Sequence, residues 1–398
     1  MSTIRYRQNI DCFTSDQLHD LREALATMYD LPPEDENSFE KIAGLHGQPS
    51  PSYCIHGYPG FLTWHRAYME VFEKALRCFN HSISLPFWDW SSGPSTGVPS
   101  ACSTATYVNR NGDTVPNPLY AGPLPASGGG GMTARRSDID TRPFDSMATG
   151  AQNALSSSTF SSFQSSLNGP HGSVHINVGG HMASLASAGF DPIFYLNHSN
   201  VDRIWAQWQN THPDPLAANE ASLELDPFNK PYSGDWKTGA DFATTDQLGY
   251  RYSNFCFFLR PPFVLWEIFK FHIDPKWFLP EIKSAKLVLK SIRMPARSME
   301  IRVFINEPDP SAETATRGNP HFAGSLGMFG MTAGDEEPVQ MKRRPNERFD
   351  LELDISRTLV EQRASEEEVS MKLVPVGIDG QAVPPDEANL EGIDILVD

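Results

Sequence analysis

The sequence predicts an α+β protein of more than one domain, with a mainly helical part followed by an all-β part. In the first part, apolar side chains recur at helical spacing in the segments 15–30, 64–79 and 193–209. From about residue 284, short alternating runs separated by Gly and Pro are typical of strands. The chain has 398 residues, of which 39% are hydrophobic, so it is long enough to bury more than one core.

Three helices are predicted in the first part. The segment 15–30, SDQLHDLREALATMYD, starts with a serine that could cap an amphipathic helix. A second helix over 64–79 carries His65 in its first turn, and a third spans 193–209, IFYLNHSNVDRIWAQWQ. Residues 91–170 are rich in Gly, Ser, Pro and Asn, so we expect irregular structure that covers a functional site or wraps the core.

The second part reads as a small β-sandwich built from the runs KLVLKSI, EIRVFIN, RFDLELDI and VSMKLVPV. We therefore place one domain at 1–254, an apolar linker at 255–284 and the strand domain at 285–398. The most apolar stretch of the linker, 255–271, is interrupted by charged residues and two prolines, so it does not qualify as a membrane span. The linker either covers the interface between the two domains or forms a subunit interface. In the second case the protein would be a homo-oligomer.

Charge and targeting signals limit the partners. The formal net charge is -17, which argues against nucleic acid or an anionic membrane as a partner, because both attract positive surfaces. No apolar segment of a signal peptide follows Met1, so a cytoplasmic protein is expected. The odd number of cysteines does not suggest a disulfide framework. The pairing of four of them stays open: Cys12, Cys78, Cys102 and Cys256.

Six of the twelve histidines fall into two similar groups, which we call the first and the second triad. The first triad is His46, His56 and His65, and the second is His171, His175 and His198. The motif PHGSVH spaces two histidines of the second triad four residues apart, so on a helix both rings project from one face and can share an ion. A single histidine is more often structural than ligating. The duplication of the triad favours a metal centre.

The ligand types favour copper. Sites made of imidazoles suit zinc, copper, iron or nickel, whereas non-haem iron usually takes two histidines and a carboxylate. A hydrolytic zinc site of the HExxH type would place a Glu beside the HxxxH pair, where this chain has Gly172 and Ser173. Three neutral imidazoles leave an open coordination position. Two such sites that face each other make a dinuclear centre able to react with O2.

Four segments carry a resemblance to a known family: CIHGYPGFLTWHRAYMEVFEKAL, LPFWDW, PHGSVHINVGGHM and DPIFYLNHSNVDRIWAQWQ. They resemble the type-3 copper proteins, which comprise tyrosinases, catechol oxidases and molluscan haemocyanins. The resemblance covers roughly residues 5–255, and YRY at 250–252 is similar to the Tyr-x-Tyr motif of the family. The segment RVFINEPDPSAETATRGNPHFAGSLGMFG resembles the β-domain of plant polyphenol oxidases.

The resemblance implies a helical dicopper domain with a four-helix-bundle core and a C-terminal β-sandwich. It implies two copper ions, one held by each triad. It also implies a thioether between Cys54 and a ring carbon of His56, as in fungal tyrosinases and molluscan haemocyanins. A buried free thiol at Cys54 is the alternative.

Three residues near the expected copper site differ from those that the resemblance would lead us to expect. Asn197 replaces the first His of a His-His pair and can hydrogen-bond toward substrate or solvent. Gly172 stands where many monophenol-hydroxylating tyrosinases carry an Asn, and no Glu precedes it in 163–171, so a base for a phenolic proton is lacking there. Leu185 stands where plant enzymes place a Phe gate above one copper, and it either leaves room for substituted rings or belongs to the core.

The orientation of the ligands needs hydrogen-bond partners for their second ring nitrogens. Asp191, which opens the segment of His198, and Asp202, one helical turn after His198, are candidate orienters of a ligand imidazole. Asp202 could instead bridge to Arg66 or Arg203.

The resemblance implies an oxidase that converts o-diphenols to o-quinones, or o-aminophenols to quinone imines, while O2 is reduced to water. The partners are then O2 and a small phenol, and monophenol hydroxylation is disfavoured. The alternative is a reversible O2 carrier of the haemocyanin type; a single unit with its own Met1 favours the enzyme. In carriers and latent oxidases the β-domain pushes a side chain over the coppers. The segment 319–331 is the candidate donor of that side chain.

Overall fold

The structure is a computed structural model, which describes most of the chain. The described residues are 4–47, 53–56, 59–93, 95–212, 216–228, 238–253, 285–295, 297–330, 348–363, 370–388 and 392–397. Helices dominate up to residue 228 and strands dominate from residue 285, which confirms the predicted helical core. The predicted linker at 255–284 lies outside the described residues.

Short 3-10 turns connect the main elements. The helices of the described residues are α1 (Ser15–Asp30), α2 (Phe39–Gly44), α3 (Phe61–Phe79), α4 (Ser100–Ser103), α5 (Asp145–Leu155), α6 (Phe160–Val178), α7 (Ile193–Gln209), α8 (Ala218–Ala221) and α9 (Ser356–Arg363). The strands are β1 (Arg5–Gln8), β2 (Thr106–Val108), β3 (Thr114–Pro116), β4 (Tyr250–Ser253), β5 (Ala285–Ile292), β6 (Met299–Ile305), β7 (Phe322–Met328), β8 (Phe349–Asp354), β9 (Met371–Gly377) and β10 (Gly392–Val397).

The three predicted helices are present with small differences at their ends. α1 is capped by Thr14, whose hydroxyl accepts from the backbone N–H of Gln17 while the Gln17 side chain accepts from Thr14 N–H. α7 has the predicted limits. α3 begins at Phe61, three residues earlier than predicted, so His65 lies in its second turn rather than its first.

The prediction of irregular structure over 91–170 was wrong for its last third. α5 and the first half of α6 lie there, and α6 starts after Thr159, whose side chain accepts from the N–H of Ser162. The polar composition hid these helices because their stability comes from buried faces, as with Phe163 and Leu167, rather than from propensity.

The strand part contains the four predicted strands, now β5, β6, β8 and β9, and two that were missed, β7 and β10. They form two three-stranded antiparallel sheets, in the orders β10-β5-β8 and β7-β6-β9. β7 reads FAGSLGM, and its two glycines weaken a strand signal because glycine has a low strand propensity. That the two sheets form a sandwich, and that the helices form a four-helix bundle, both remain predictions.

Each part has its own apolar core, and side chains of the strand part also pack on the helical core. The helical core is built around α3, α6 and α7, and a smaller core lies between the strands of the C-terminal part. Phe329, directly after β7, belongs to the helical core although its strand belongs to the other. The side chain therefore crosses from one part into the other.

The ends of the helical part meet in a short parallel pairing of β1 with β4, which contains the YRY motif. Cys78 and Cys102 carry free thiols, and Cys256 lies outside the described residues. Among the helices of the described residues, none has the length and hydropathy needed to cross a bilayer.

A buried ionic network lies behind α7. Asp202 accepts from Arg66 Nε at 2.5 Å and Arg7 Nη1 at 3.4 Å, and from the hydroxyls of Tyr250 at 2.6 Å and Tyr252 at 2.5 Å. Burial alone would raise the pKa of Asp202, but the two arginines and the two hydroxyls outweigh it and hold that pKa below its usual value. The carboxylate thus joins α3, α7 and the β1–β4 pair.

We predict that Asp202→Ala lowers the free energy of unfolding by about 3–5 kcal/mol, because it leaves the buried guanidinium of Arg66 without its counter-charge. The measurement is urea denaturation at pH 7. Asp246→Ala is the matched control. Its carboxylate pairs with Arg251 at 2.8 Å with both side chains more than half exposed, so a loss of about 1 kcal/mol or less is expected. Equal losses in the two variants would contradict the prediction.

Candidate metal centre

All six predicted histidines meet in the interior of the helical part. Each of them is at most 3% exposed. α3 carries His65, α6 carries His171 and His175, and α7 carries His198, while His46 follows α2 and His56 precedes α3. The HxxxH pair lies on a helix, as the spacing predicted.

The three Nε2 atoms of the second triad converge on one point. They lie 3.0 Å apart for His171 and His175, and 3.2 Å apart for each of these and His198. The centre of a triangle with these sides is about 1.8 Å from each corner, so an ion with metal–nitrogen bonds of about 2.0–2.1 Å fits just above its plane. The Nδ1–H of His175 donates to the Met182 carbonyl at 3.0 Å, which leaves Nε2 as the lone-pair atom.

The first triad is oriented in the same way. The Nδ1–H of His65 donates to the Phe61 carbonyl at 2.8 Å, and that of His46 donates to the Leu185 carbonyl at 3.1 Å. The ring centroids of the triad lie 4.9–5.7 Å apart. Neither ring nitrogen of His56 has a hydrogen-bond partner among the described residues. A buried imidazole without partners is costly unless a metal takes one of its nitrogens.

The two triads face each other. The rings of His65 and His198 are stacked with centroids 4.2 Å apart and planes 11° from parallel. The rings of His56 and His171 are also nearly parallel, at 5.8 Å. One nitrogen of His56 lies within 4.8 Å of those of His171 and His198. The two triads therefore line one common space, in which each could hold one ion.

Burial keeps all six imidazoles neutral. It lowers the pKa of His65 to about 3 and that of His175 to about 4, and it lowers the other four well below the ordinary value, with a further contribution from the neighbouring histidines. A histidine binds a metal only in its neutral form, so the apo site is ready for metal at neutral pH.

Aromatic rings close the site on two sides. Phe194, one turn before His198 on α7, stacks on that ring at 4.2 Å. From the strand part, Phe329 stacks on His175 with centroids 4.3 Å apart and meets His56 edge-on at 5.1 Å. Phe329 is 6% exposed, and it lies within the segment 319–331 from which a covering side chain was expected.

Comparison with known proteins identifies the family. The family model described as the common central domain of tyrosinase matches residues 36–211. The tyrosinase of Streptomyces antibioticus is 31% identical over 207 residues, which cover 45% of this chain and 74% of that enzyme. The chain belongs to the type-3 copper family.

Haemocyanins are similar to the same degree. The haemocyanin β-C chain unit D of Helix pomatia is 32% identical over 239 residues, 56% of each protein. The chain thus spans about half the length of that relative, and 7% of haemocyanin 2 of Megathura crenulata, to which it is 31% identical. Members of the family bind two copper ions, and the buried histidines of this chain form clusters that could hold metal.

Solved structures share the fold over the whole chain. A functional unit of octopus haemocyanin superposes with a TM-score of 0.72 at 21% identity, covering 99% of both chains. A mutant of Aspergillus oryzae pro-tyrosinase superposes with a TM-score of 0.72 at 17% identity, covering 99% of this chain and 93% of that one. Both helical and strand-rich parts are therefore included in the fold likeness.

In this type-3 copper protein, Asn197 is fixed rather than open to solvent. Its side chain is fully buried, and its Oδ1 accepts from the indole N–H of Trp90 at 2.8 Å. Because an indole nitrogen only donates, this bond decides which end of the amide is the oxygen. The amide nitrogen then points toward His175 Nε2, 3.4 Å away.

Leu185 acts on the site through its backbone. Its carbonyl accepts from His46, and its N–H donates to the Gly330 carbonyl at 3.2 Å, one residue after Phe329. The side chain is 2% exposed and packs in the helical core. Its expected place as a gate above a copper stays a prediction.

Gly172 lies where α6 and β7 touch backbone to backbone. A Cβ at Gly172 would come within 2.5 Å of the Gly327 carbonyl oxygen, and a Cβ at Gly327 within 2.1 Å of Ser173 N. An Asn side chain at this position would not fit without a shift of the backbone. The glycine therefore has a packing reason that the sequence did not reveal.

The expected carboxylate orienters are wrong. Asp191 pairs with Arg135 at 2.6 Å, and Asp202 pairs with Arg66, as the bridging alternative proposed. Arg203 pairs with Asp89 instead. Backbone carbonyls orient three of the six rings, those of His46, His65 and His175. Carbonyl acceptors carry no sequence signal, which is why reasoning from residue types missed them.

We predict that Gly172→Asn destabilises the protein by about 1–3 kcal/mol, because the added side chain overpacks the contact with Gly327 even though it removes a glycine from the interior of a helix. The measurement is chemical denaturation of the copper-free protein. Gly93→Ala is the control, since its Cβ would meet nothing within 4 Å and a change within about 0.5 kcal/mol is expected. Stability equal to the wild type in Gly172→Asn would contradict the packing.

Proposed function

We propose that the protein is a dicopper oxidase that converts o-diphenols to o-quinones, or o-aminophenols to quinone imines. The first triad would hold one copper and the second triad the other. Each o-diphenol loses two electrons and two protons, so two turnovers reduce one O2 to two waters. The observation that carries the proposal is the pair of facing triads of neutral imidazoles, with the three Nε2 atoms of the second triad 3.0–3.2 Å apart.

When bound, the copper pair supplies the redox chemistry, and the protein supplies orientation and a dry site. The Nδ1–H donations to the carbonyls of Phe61, Leu185 and Met182 fix three rings and direct their Nε2 atoms inward. The rings of Phe194 and Phe329 exclude water from the same space. A rigid ligand set in an apolar shell favours a small aromatic substrate over bulk solvent.

The substrate range proposed is diphenols and aminophenols rather than monophenols. Hydroxylation of a monophenol needs a base within reach of its proton, directly or through one water. Gly172 provides no side chain, and the fully buried Asn197 amide is engaged by Trp90. A ring with two adjacent donor groups needs less help, since its oxidation removes electrons without inserting oxygen.

A reversible O2 carrier is the second candidate, and Phe329 favours it. Its ring stacks on His175 and fills the approach to the site, which a small gas can pass more easily than a phenol. The similarity to the Helix pomatia haemocyanin unit supports the same reading. The oxidase reading requires that this ring moves, so the two candidates differ in what happens when it is removed.

We predict that Phe329→Ala raises catechol turnover by the copper-loaded protein about tenfold or more. In the wild type the ring must move away before a phenol can enter, and only the fraction of molecules with the ring displaced can react. The alanine variant does not need this movement. The assay follows quinone formation with catechol, 2-aminophenol and a monophenol in turn. Turnover of the first two without the monophenol is the expected pattern.

Phe322→Ala is the matched control, because Phe322 lies at the other end of β7 and packs on Phe304 rather than on the histidines. It should leave turnover near the wild-type level. No quinone from either variant, together with a reversible oxygen-dependent near-ultraviolet band, would overturn the oxidase proposal and leave the carrier.

We further propose the thioether between Cys54 and His56. The Cys54 sulfur lies within 4.8 Å of a ring nitrogen of His46 and of His56, which puts the two partners in the same pocket. The bond removes one hydrogen from sulfur and one from carbon, and O2 takes up the two electrons. A covalent link would restrain the His56 ring, for which no hydrogen bond was found among the described residues.

We predict that incubation with copper and O2 lowers the mass of the chain by two hydrogen atoms and that the loss maps to the peptide with residues 54–56. Cys54→Ser should show no loss. Alkylation at pH 8 should label the exposed Cys78 but not Cys102, because burial raises the pKa of the Cys102 thiol to about 12. An unchanged mass with Cys54 still alkylated after denaturation would exclude the thioether.

A further inference from the structure

The start of α3 has a cap that its own sequence cannot provide. Gly60 is the N-cap residue, has no side-chain cap and has a φ of 97°, which favours glycine. A Cβ at Gly60 would also lie 2.3 Å from Leu223 Cδ2. The residues that usually cap helices, Ser, Thr, Asp and Asn, are therefore excluded at this position.

Two side chains from other helices take over this role. Glu220 on α8 accepts from the N–H of Gly60 at 2.5 Å through Oε2, and from the side-chain amide of Gln164 at 2.9 Å through Oε1. Gln164 in turn accepts from the N–H of Leu62 at 3.4 Å. Both oxygens of Glu220 thus act as acceptors, as in an ionised carboxylate, and negative charge is favourable beside the N-terminus of a helix.

The capped turn belongs to the metal centre. His65 donates to the carbonyl of Phe61, which lies in this first turn, and the Phe61 ring packs on His65 at 5.0 Å and on His171 at 4.8 Å. Gln164 lies two turns before His171 on α6. The Glu220–Gln164 pair therefore joins the start of the helix that carries His65 to the helix that carries His171 and His175.

We propose that Glu220, acting through Gly60 and Gln164, is a positioning residue for the copper of the first triad. It fixes the first turn of α3 relative to α6 and so sets the place of His65 opposite His198. The inference rests on the proposed function, since it assumes that the first triad binds copper. Glu220 itself touches none of the six histidines in the contacts of the described residues.

The variants follow from the hydrogen bonds. In Glu220→Gln the new amide oxygen can still accept from the N–H of Gly60. The new amide N–H groups then face the N–H groups of Gln164, so either the bond to Gly60 or the bond to Gln164 is lost. Gln164→Glu puts two carboxylates side by side. The double variant Glu220→Gln with Gln164→Glu restores all three hydrogen bonds. The residue at 220 now donates to the residue at 164, and both still accept from the N–H groups of Gly60 and Leu62. Asn219→Ala, an exposed neighbour on α8, is the control.

Copper binding is measured by titration against a competing chelator and by EPR, in which a lone Cu(II) gives a signal and a coupled pair does not. In each single variant we expect one of the two ions to bind about 10- to 100-fold more weakly. The EPR spectrum of the half-loaded single variant should match that of His65→Ala rather than His171→Ala. The double variant and Asn219→Ala should bind two ions as the wild type does.

The outcomes separate this inference from the proposed function. A wild type that binds fewer than two copper ions overturns the copper assignment itself. If the wild type binds two copper ions and Glu220→Gln binds them with the same affinities, only the positioning role is overturned. If Glu220→Gln does not fold, Gln164→Ala, which keeps the bond from Gly60, replaces it, and undiminished binding of both ions there overturns the proposal equally.

Discussion

The burial of six neutral imidazoles side by side in the helical part is the constraint on which the rest of the structure depends. Each ring is at most 3% exposed, and burial lowers every pKa, so the cluster carries no charge that would drive it apart. A neutral buried imidazole still needs a partner for its N–H. The fold meets this need for three rings with backbone carbonyls, which hold the Nε2 lone pairs inward.

Backbone acceptors require that the backbone itself is held still, and this explains the arrangement behind the helices. Asp202 ties α3 and α7 to the β1–β4 pair through Arg66 and the tyrosines of the YRY motif. On the other side of α3, Glu220 and Gln164 hold its first turn. The carboxylates therefore affect the histidines indirectly. They fix the helices, and the helices present the carbonyls.

The C-terminal part completes the site rather than sitting apart from it. Gly172 and Gly327 allow α6 and β7 to approach backbone to backbone, and this brings Phe329 over His175. The Gly330 carbonyl accepts from Leu185 N–H, and the carbonyl of the same leucine orients His46. Movement of this segment is thus coupled to one ligand of the first triad as well as to access.

The sequence by itself determined the family, the two groups of histidines that meet in the interior, and the order of helical and strand-rich parts. The histidine spacing in PHGSVH and the periodicity over 193–209 are local signals, and local signals are readable because they depend on helix geometry alone. The tertiary structure decided the rest. The carbonyl partners, the reason for Gly172, the cap at Gly60 and the ring of Phe329 all arise from contacts between distant segments, for which residue type and spacing give no signal.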